Sequence, residues 1–203
     1  MKNLKKILSL FLAVCALSLP TMAAEINTSG GSASTPVSLT TTNGGLDGEG
    51  GDITATKLNV VVPTSLPMAM SDDGSVVTAD DCKIVNKSYG AVRVKSVTIS
   101  AASGWHLTKF GAKSTLAAEK VDANKLGFAM SIGGEKQVQT TTNDATQRLI
   151  TAPVSGCYMT GIGDTTKNSV LIDYDAIVTP LSGTMNNVTV ANVVFVIEWD
   201  LVG

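Results

Sequence analysis

The residue types that carry most enzyme chemistry are few in this chain, and their spacing does not pair them. The only histidine, His106, lies between Trp105 and Leu107. A histidine base needs a nucleophile beside it and a carboxylate that orients its ring, and one histidine among many serines and aspartates identifies no such group. One histidine and widely separated cysteines also fall short of the ligand number of a zinc site. We therefore predict that the protein is not an enzyme.

Calcium is the one cofactor for which the chain offers suitable ligands. Carboxylate oxygens bind calcium at loops and sheet edges, and six aspartates occupy predicted turns or the polar positions of a predicted strand. These are Asp72, Asp73, Asp80, Asp81, Asp173 and Asp175. Their spacing lacks the alternation of an EF-hand loop, and solvated turn residues are the alternative interpretation.

The N-terminus predicts export. Three lysines within the first six residues precede an apolar run over residues 7–19, and small residues follow as far as Ala24. This is the order of regions in a secretory signal peptide, which we place at residues 1–23. The apolar run is shorter than the ~20 residues that cross a bilayer, so a membrane anchor fits less well. We expect a secreted protein at the cell surface or cell wall, with no membrane span.

Cleavage of that peptide changes the charge balance. Removing Lys2, Lys5 and Lys6 from the 15 basic residues leaves 12 against 17 acidic ones, a net charge of −5. A negative chain is not attracted to phosphate backbones or to anionic lipid. The sequence therefore predicts that nucleic acid is not a partner.

The cysteines allow two interpretations. Cys15 lies inside the predicted signal peptide, where Val14 stands at the position that a lipoprotein box reserves for a very small residue, so lipidation is a minor alternative. Cys82 and Cys157 remain in the exported chain. An oxidising compartment permits a disulfide between them, and two separate buried thiols are the alternative because the sequence does not give their distance.

Residues 24–51 form a predicted flexible leader. Nine of the 25 residues from 27 to 51 are Ser or Thr and seven are Gly, with no aromatic side chain, a composition typical of linkers. Within it Val37 and Leu39 alternate with polar residues. This short pattern predicts either an edge strand or a strand that pairs with a partner.

Residues 52–203 predict an antiparallel β-sandwich of immunoglobulin-like or Greek-key type. Short alternating segments are separated by Gly and Asn turns, and only residues 114–124 have a helical composition. The clearest strands are residues 170–178 and 193–201. In residues 91–100, Val92 and Val94 have the opposite parity to Val97 and Ile99, so a bulge near Lys95 is needed to place all four inward.

Two Trp-x-Leu tripeptides are the most distinctive motif, at residues 105–107 and 199–201. Residues i and i+2 share a face of a strand, so each pair forms one apolar ridge. The ridges belong to the core, or, if exposed, they stack on sugar rings or dock a partner. We therefore take Trp105, Leu107, Trp199 and Leu201 as candidate partner-binding residues.

The signal peptide, the internal Trp-x-Leu and the second copy in the last strand make the chain resemble the WxL-domain family of secreted bacterial surface proteins. The resemblance extends over about residues 58–201, whereas the Pro/Asp-rich leader of that family is missing. It implies non-covalent attachment to the cell wall through peptidoglycan, with the four Trp and Leu positions as the matching residues. We therefore expect a non-enzymatic surface protein whose partner is a wall polymer or a surface protein.

The alternative function is that of a subunit of an extracellular fibre or biofilm matrix. A sandwich with an open edge can accept an extended strand from the next copy, and Val37 and Leu39 mark a candidate donor strand in the leader. Head-to-tail contacts of this kind do not close, so they produce filaments. The architecture resembles that of secreted biofilm-matrix fibre proteins.

Overall fold

The computed structural model describes residues 23–39 and 57–200. It is 46% strand and 5% helix, with antiparallel sheets, which confirms the predicted all-β sandwich. No helix within these ranges is long and apolar enough to cross a membrane.

The described strands, in chain order, are β1 Ala23–Ile26, β2 Ser32–Leu39, β3 Val60–Pro63, β4 Met68–Met70, β5 Val76–Thr78, β6 Lys83–Asn86, β7 Val92–Ala101, β8 His106–Thr108, β9 Lys125–Ile132, β10 Val138–Gln139, β11 Thr146–Ile150, β12 Tyr158–Met159, β13 Ser169–Val178 and β14 Val188–Trp199. One short helix, α1 Ser114–Ala117, lies between β8 and β9, and a 3-10 turn at Ser155–Cys157 precedes β12.

Two sheets make up the sandwich. The larger has the order β1-β3-β6-β13-β9-β10, with β8 also paired to β9, and the smaller has the order β11-β7-β14-β2, with β12 also paired to β7. All these pairs are antiparallel except β8 with β9. The hairpin of β4 and β5 forms a separate two-stranded sheet.

Period-two alternation places the core between the sheets. On β13 the side chains of Val170, Ile172, Tyr174 and Ala176 are buried, whereas Asp173 and Asp175 are exposed. On β14 the inward residues are Val193, Phe195 and Ile197. With few aromatic residues, aliphatic side chains fill most of the space between the sheets, which lie about 10 Å apart in such folds.

The predicted bulge in β7 is confirmed. Val196 of β14 pairs with Ser96, and the next residue, Ile197, pairs with Val94, so Lys95 is the extra residue. Because of this insertion, Val92, Val94, Val97 and Ile99 are all buried despite their opposite parity.

The predicted helix is shorter than expected. It ends at Ala117 instead of continuing to residue 124, and its N-cap residue Lys113 makes no side-chain capping bond. Asp122 and Asn124 then take left-handed backbone angles, with φ 59° and 50°. A right-handed helix cannot continue through these conformations, and Asp122 accepts hydrogen bonds from the backbone and the side chain of Ser182.

The leader also differs from the expectation. Residues 23–39, most of which were expected to be flexible, form two strands, one at an edge of each large sheet. The remainder of the predicted leader, residues 40–51, lies outside the described residues. The first part of the leader therefore belongs to the sandwich.

Candidate functional site

In the folded chain, β2 from the predicted leader pairs with β14 and is an edge strand of the smaller sheet. Eight residue pairs join the two strands, from Leu39 opposite Val188 to Ser32 opposite Val196. The ladder continues beyond β2, where Gly30 N donates to Ile197 O and Ile197 N donates to Gly31 O, each at 3.0 Å. The segment with the predicted donor strand is thus an edge strand on its own chain.

A tight corner connects this edge to the other sheet. β1 pairs with β3 over four residues, and only residues 27–31 separate β1 from β2. Gly30 has φ 78°, and a Cβ on Gly31 would lie 2.7 Å from Ile26 Cγ2 and 2.8 Å from Thr28 O. No side chain fits there without a shift, so this corner requires glycine. The Gly-Gly pair, which we interpreted as linker composition, is a turn signal.

Thr35 bridges the two sheets, and no sequence motif or hydrophobic pattern marks it. Its side chain lies fully buried on β2, and its Oγ1 donates a 2.6 Å hydrogen bond to the carbonyl oxygen of Pro63 on β3. A buried carbonyl without a partner costs about 1–3 kcal/mol. Thr35 therefore holds β2 against the opposite sheet as well as against β14.

The end of β2 and the start of β3 lie toward opposite ends of the sandwich. β2 ends at Leu39, opposite Val188 at the start of β14, whereas β3 begins at Val60, opposite Asn86. The Asn86 side chain bonds Gly90 O, and Gly90 packs against Trp199 at the other end of β14. The twelve residues of β14 span roughly 36 Å. The intervening residues 40–56 reach up to roughly 60 Å when extended.

The first Trp-x-Leu motif belongs to the core. The Trp105 side chain is 6% exposed and Leu107 is 1% exposed. Leu107 lies on β8, which pairs in parallel with β9, and Trp105 directly precedes that strand. His106, between them, is exposed. Burial makes Trp105 and Leu107 inaccessible to a partner in this conformation. The interpretation of this pair as an exposed platform is therefore corrected to the alternative of a core ridge.

The second motif is placed differently. Trp199 is half-buried, and its indole ring covers Gly90 so closely that a Cβ there would lie 2.8 Å from the ring atom Cζ3. Leu201 lies outside the described residues. The second motif thus keeps part of one aromatic ring at the surface.

Charged and aromatic side chains surround this end of β14. Arg93 Nε lies 2.9 Å from Glu198 Oε1, and Lys95 Nζ lies 2.9 Å from Glu198 Oε2. Hydrogen bonding from Lys95, followed by that from Arg93, lowers the pKa of Glu198. The guanidinium of Arg93 also lies 6.0 Å from the ring centre of Tyr158. An adjoining cleft of about 440 Å³ is lined by residues that include Tyr158, Lys167, Leu171 and Asp200.

The aspartates do not converge on a metal position. Among the residues that the structure describes, there is no group of three or more His, Cys, Asp or Glu side chains that could hold a metal ion. Asp73 instead closes the β4–β5 hairpin by accepting hydrogen bonds from Ser71 and from Ser75. These bonds, the one from Ser71 first, lower the pKa of its carboxyl group. The geometry at Asp73 is that of a turn residue.

The cysteines are separate thiols in this fold. Cys82 and Cys157 are both free and buried, one just before β6 and the other in the 3-10 turn before β12. The structure therefore has the second of the two sequence interpretations, buried thiols, in place of the disulfide. Burial raises the pKa of Cys82 to about 11 and also raises the pKa of Cys157.

We expect both thiols to react slowly in the folded protein and fully after unfolding. The thiolate is the reactive species, and a pKa of about 11 for Cys82 lowers the thiolate fraction of that residue at neutral pH by roughly 300-fold relative to a free cysteine with a pKa of about 8.5. Alkylation followed by mass measurement, without reductant, should label two thiols per signal-peptide-free chain in guanidinium and almost none in buffer. A chain that gains no label in guanidinium would contain the disulfide instead.

Comparison of the chain with protein-family models finds no match, and comparisons with curated proteins and with solved structures also find none.

Proposed function

We propose that this protein is a secreted, non-enzymatic bacterial surface protein that acts as a subunit of an extracellular fibre, with copies joined through β2. One observation carries the proposal. A strand from the N-terminal segment supplies the whole edge of the smaller sheet along β14, and a connection long enough to reach a neighbouring molecule follows it. The same strand on β14 of another copy would make the same backbone hydrogen bonds.

Chain connectivity favours the closed monomer at low concentration. Because β2 belongs to the same chain as β14, its effective concentration at that edge is about millimolar, so β2 pairs with its own β14 in dilute solution. At high protein concentration, pairing of β2 with β14 of another copy competes with pairing inside one chain. The number of β2–β14 contacts per molecule stays the same. Since each copy donates one strand and accepts another, the contact is head-to-tail and extends into a filament.

Non-covalent association with the cell wall is the second candidate. The observation in its favour is the group of aromatic residues at one end of the sandwich, where Trp199 is half-buried and Tyr89 and Tyr158 are 60% and 41% exposed. Tyr89 is next to Gly90, on which Trp199 packs, and Tyr158 is next to Arg93. Exposed aromatic rings beside charged groups suit a saccharide or a protein partner.

Sedimentation with and without isolated peptidoglycan sacculi separates the two candidates. For the fibre, we expect the purified chain without residues 1 to 23 to pellet by itself, with a fraction that rises steeply with protein concentration and with filaments visible by electron microscopy. Pelleting only with sacculi would contradict the fibre and support wall association. Tyr158→Ala then serves as a surface variant for wall binding, since Tyr158 is exposed and its removal leaves the core intact.

A further inference from the structure

We infer that β1 and β2 exchange together, as one unit that supplies an edge strand to both large sheets of a second copy of this chain. We call residues 23–39 the N-terminal clasp; cleavage at the predicted site leaves it beginning at Ala24 or Glu25. This inference rests on the proposed fibre function. It specifies which part of the chain moves and what the acceptor must offer.

The short corner at residues 27–31 holds β1 and β2 together, so the two strands must move as one unit. Gly31 N donates to Thr28 O at 2.9 Å, and Gly31 contacts Ile26 closely. Only five residues, 27–31, join the two strands, and they reach at most roughly 20 Å when extended. If β2 moved to a neighbour while β1 remained, this compact corner would have to unfold completely. Moving both strands leaves its bonds intact.

The clasp packs across both sheets at one side of the sandwich. Ile26 on β1 and Ala33 and Thr35 on β2 are buried, and Thr35 Oγ1 donates to Pro63 O across the sheets. β1 covers the edge of β3, and β2 covers the edge of β14. If an acceptor copy received β2 alone, the edge of its own β3 would stay unpaired. Thr35 would then pack on that copy without β1 beside it. Exchange of the whole clasp satisfies both edges at once.

Cysteine pairs across each edge test this inference. Ser34 lies opposite Val194 on the β2–β14 edge, and Glu25 lies opposite Val61 on the β1–β3 edge. Directly opposite residues in antiparallel strands have Cα atoms about 4.5–5.5 Å apart, which suits a disulfide. Copies carrying Ser34→Cys are mixed with copies carrying Val194→Cys, and copies carrying Glu25→Cys with copies carrying Val61→Cys. Each mixture is refolded together, concentrated and oxidised.

Two controls define the background. Ser34→Cys copies mixed with Thr98→Cys copies should not cross-link, because Thr98 lies on β7, on the far side of Val194 from β2. Copies without new cysteines report any cross-links through Cys82 and Cys157. Each pair is also placed within one chain, where an internal disulfide at low concentration shows that the two positions are close enough to react.

We expect disulfide-linked dimers from both mixtures, in comparable yield, in the material that pellets. Dimers from the Ser34–Val194 mixture alone would overturn the clasp as the exchanged unit while leaving exchange of β2, and thus the proposed fibre, in place. Dimers from the Glu25–Val61 mixture alone would overturn both the clasp and a fibre joined through β2. Dimers from neither mixture, with both internal disulfides forming, would overturn the inference and the fibre by strand exchange together.

Discussion

A variant without residues 27–42 is expected to lose self-assembly completely and to unfold more easily than the intact chain. The deletion removes β2, so the eight residue pairs with β14 disappear and the buried Thr35 hydroxyl no longer reaches Pro63 O. Each backbone hydrogen bond contributes about 0.5–1.5 kcal/mol net, so the free energy of unfolding should fall by several kcal/mol. The measurements are sedimentation and a urea titration followed by circular dichroism.

A synthetic peptide of residues 27–42 distinguishes loss of the link between copies from loss of the fold. Added to the deletion variant, it should pair with the vacant β14 edge and restore part of the stability. It should not restore pelleting, because a free peptide fills the edge without connecting two copies. Thr35→Val is the milder variant, which keeps the strand and removes one buried hydrogen bond. A deletion variant that pellets like the intact chain would exclude β2 as the link.

Replacing Trp105 with alanine is expected to lower the free energy of unfolding by about 3–5 kcal/mol, the range for large aromatic side chains removed from a core. The indole of Trp105 is 6% exposed and belongs to the main hydrophobic cluster, so its removal leaves a cavity between the sheets. Trp199→Ala is the matched variant. Its effect on stability should be smaller because Trp199 is half-buried and lies at the end of β14, over Gly90.

Denaturant unfolding of the two tryptophan variants checks this expectation, and Trp105→Phe serves as the conservative control. The phenyl ring fills part of the same space, so this variant should be the more stable of the two at position 105. If Trp105→Ala kept full stability while the protein lost binding to sacculi, Trp105 would be a surface contact instead of a core residue. That result would contradict the packing seen in the structure.

Much of the sandwich could be predicted from side-chain periodicity. The alternation in β13 and β14 identifies two long strands with one buried face, because a strand between sheets must place every second residue inward. The parity change between Val94 and Val97 identifies the bulge at Lys95 for the same reason. In these segments the hydrophobic pattern is strong, and local and tertiary preferences agree.

The helix prediction was wrong over residues 118–124 because composition was its only support. Residues 114–124 contain good helix-forming residues, but neither a capping bond nor an apolar stripe stabilises a longer helix. Left-handed backbone at Asp122 and Asn124 and the hydrogen bonds from Ser182 stabilise a loop instead. Here a contact with a residue 60 positions further along the chain contributes to the local conformation.

The position of β2 is the part of the fold that side-chain patterns predict least well. Val37 and Leu39 indicated a strand, but small and polar residues such as Ser32, Ala33 and Ser34 carry no periodic signal. Their strand forms because β14 presents an unpaired row of backbone donors and acceptors, which any extended segment can satisfy. Backbone hydrogen bonding depends little on side-chain type, so the sequence does not reveal which strand fills that edge.

The sequence by itself therefore determined the all-β class, the long central strands and the bulge, because burial of one strand face is recorded in side-chain alternation. It also predicted a signal peptide, which stays a prediction. Only the tertiary structure decided that Trp105 and Leu107 are core residues and that Cys82 and Cys157 are separate thiols. It also decided that residues 23–39 supply one edge strand to each large sheet. Each of these depends on which segments meet in space, a long-range property that no local pattern of residues encodes.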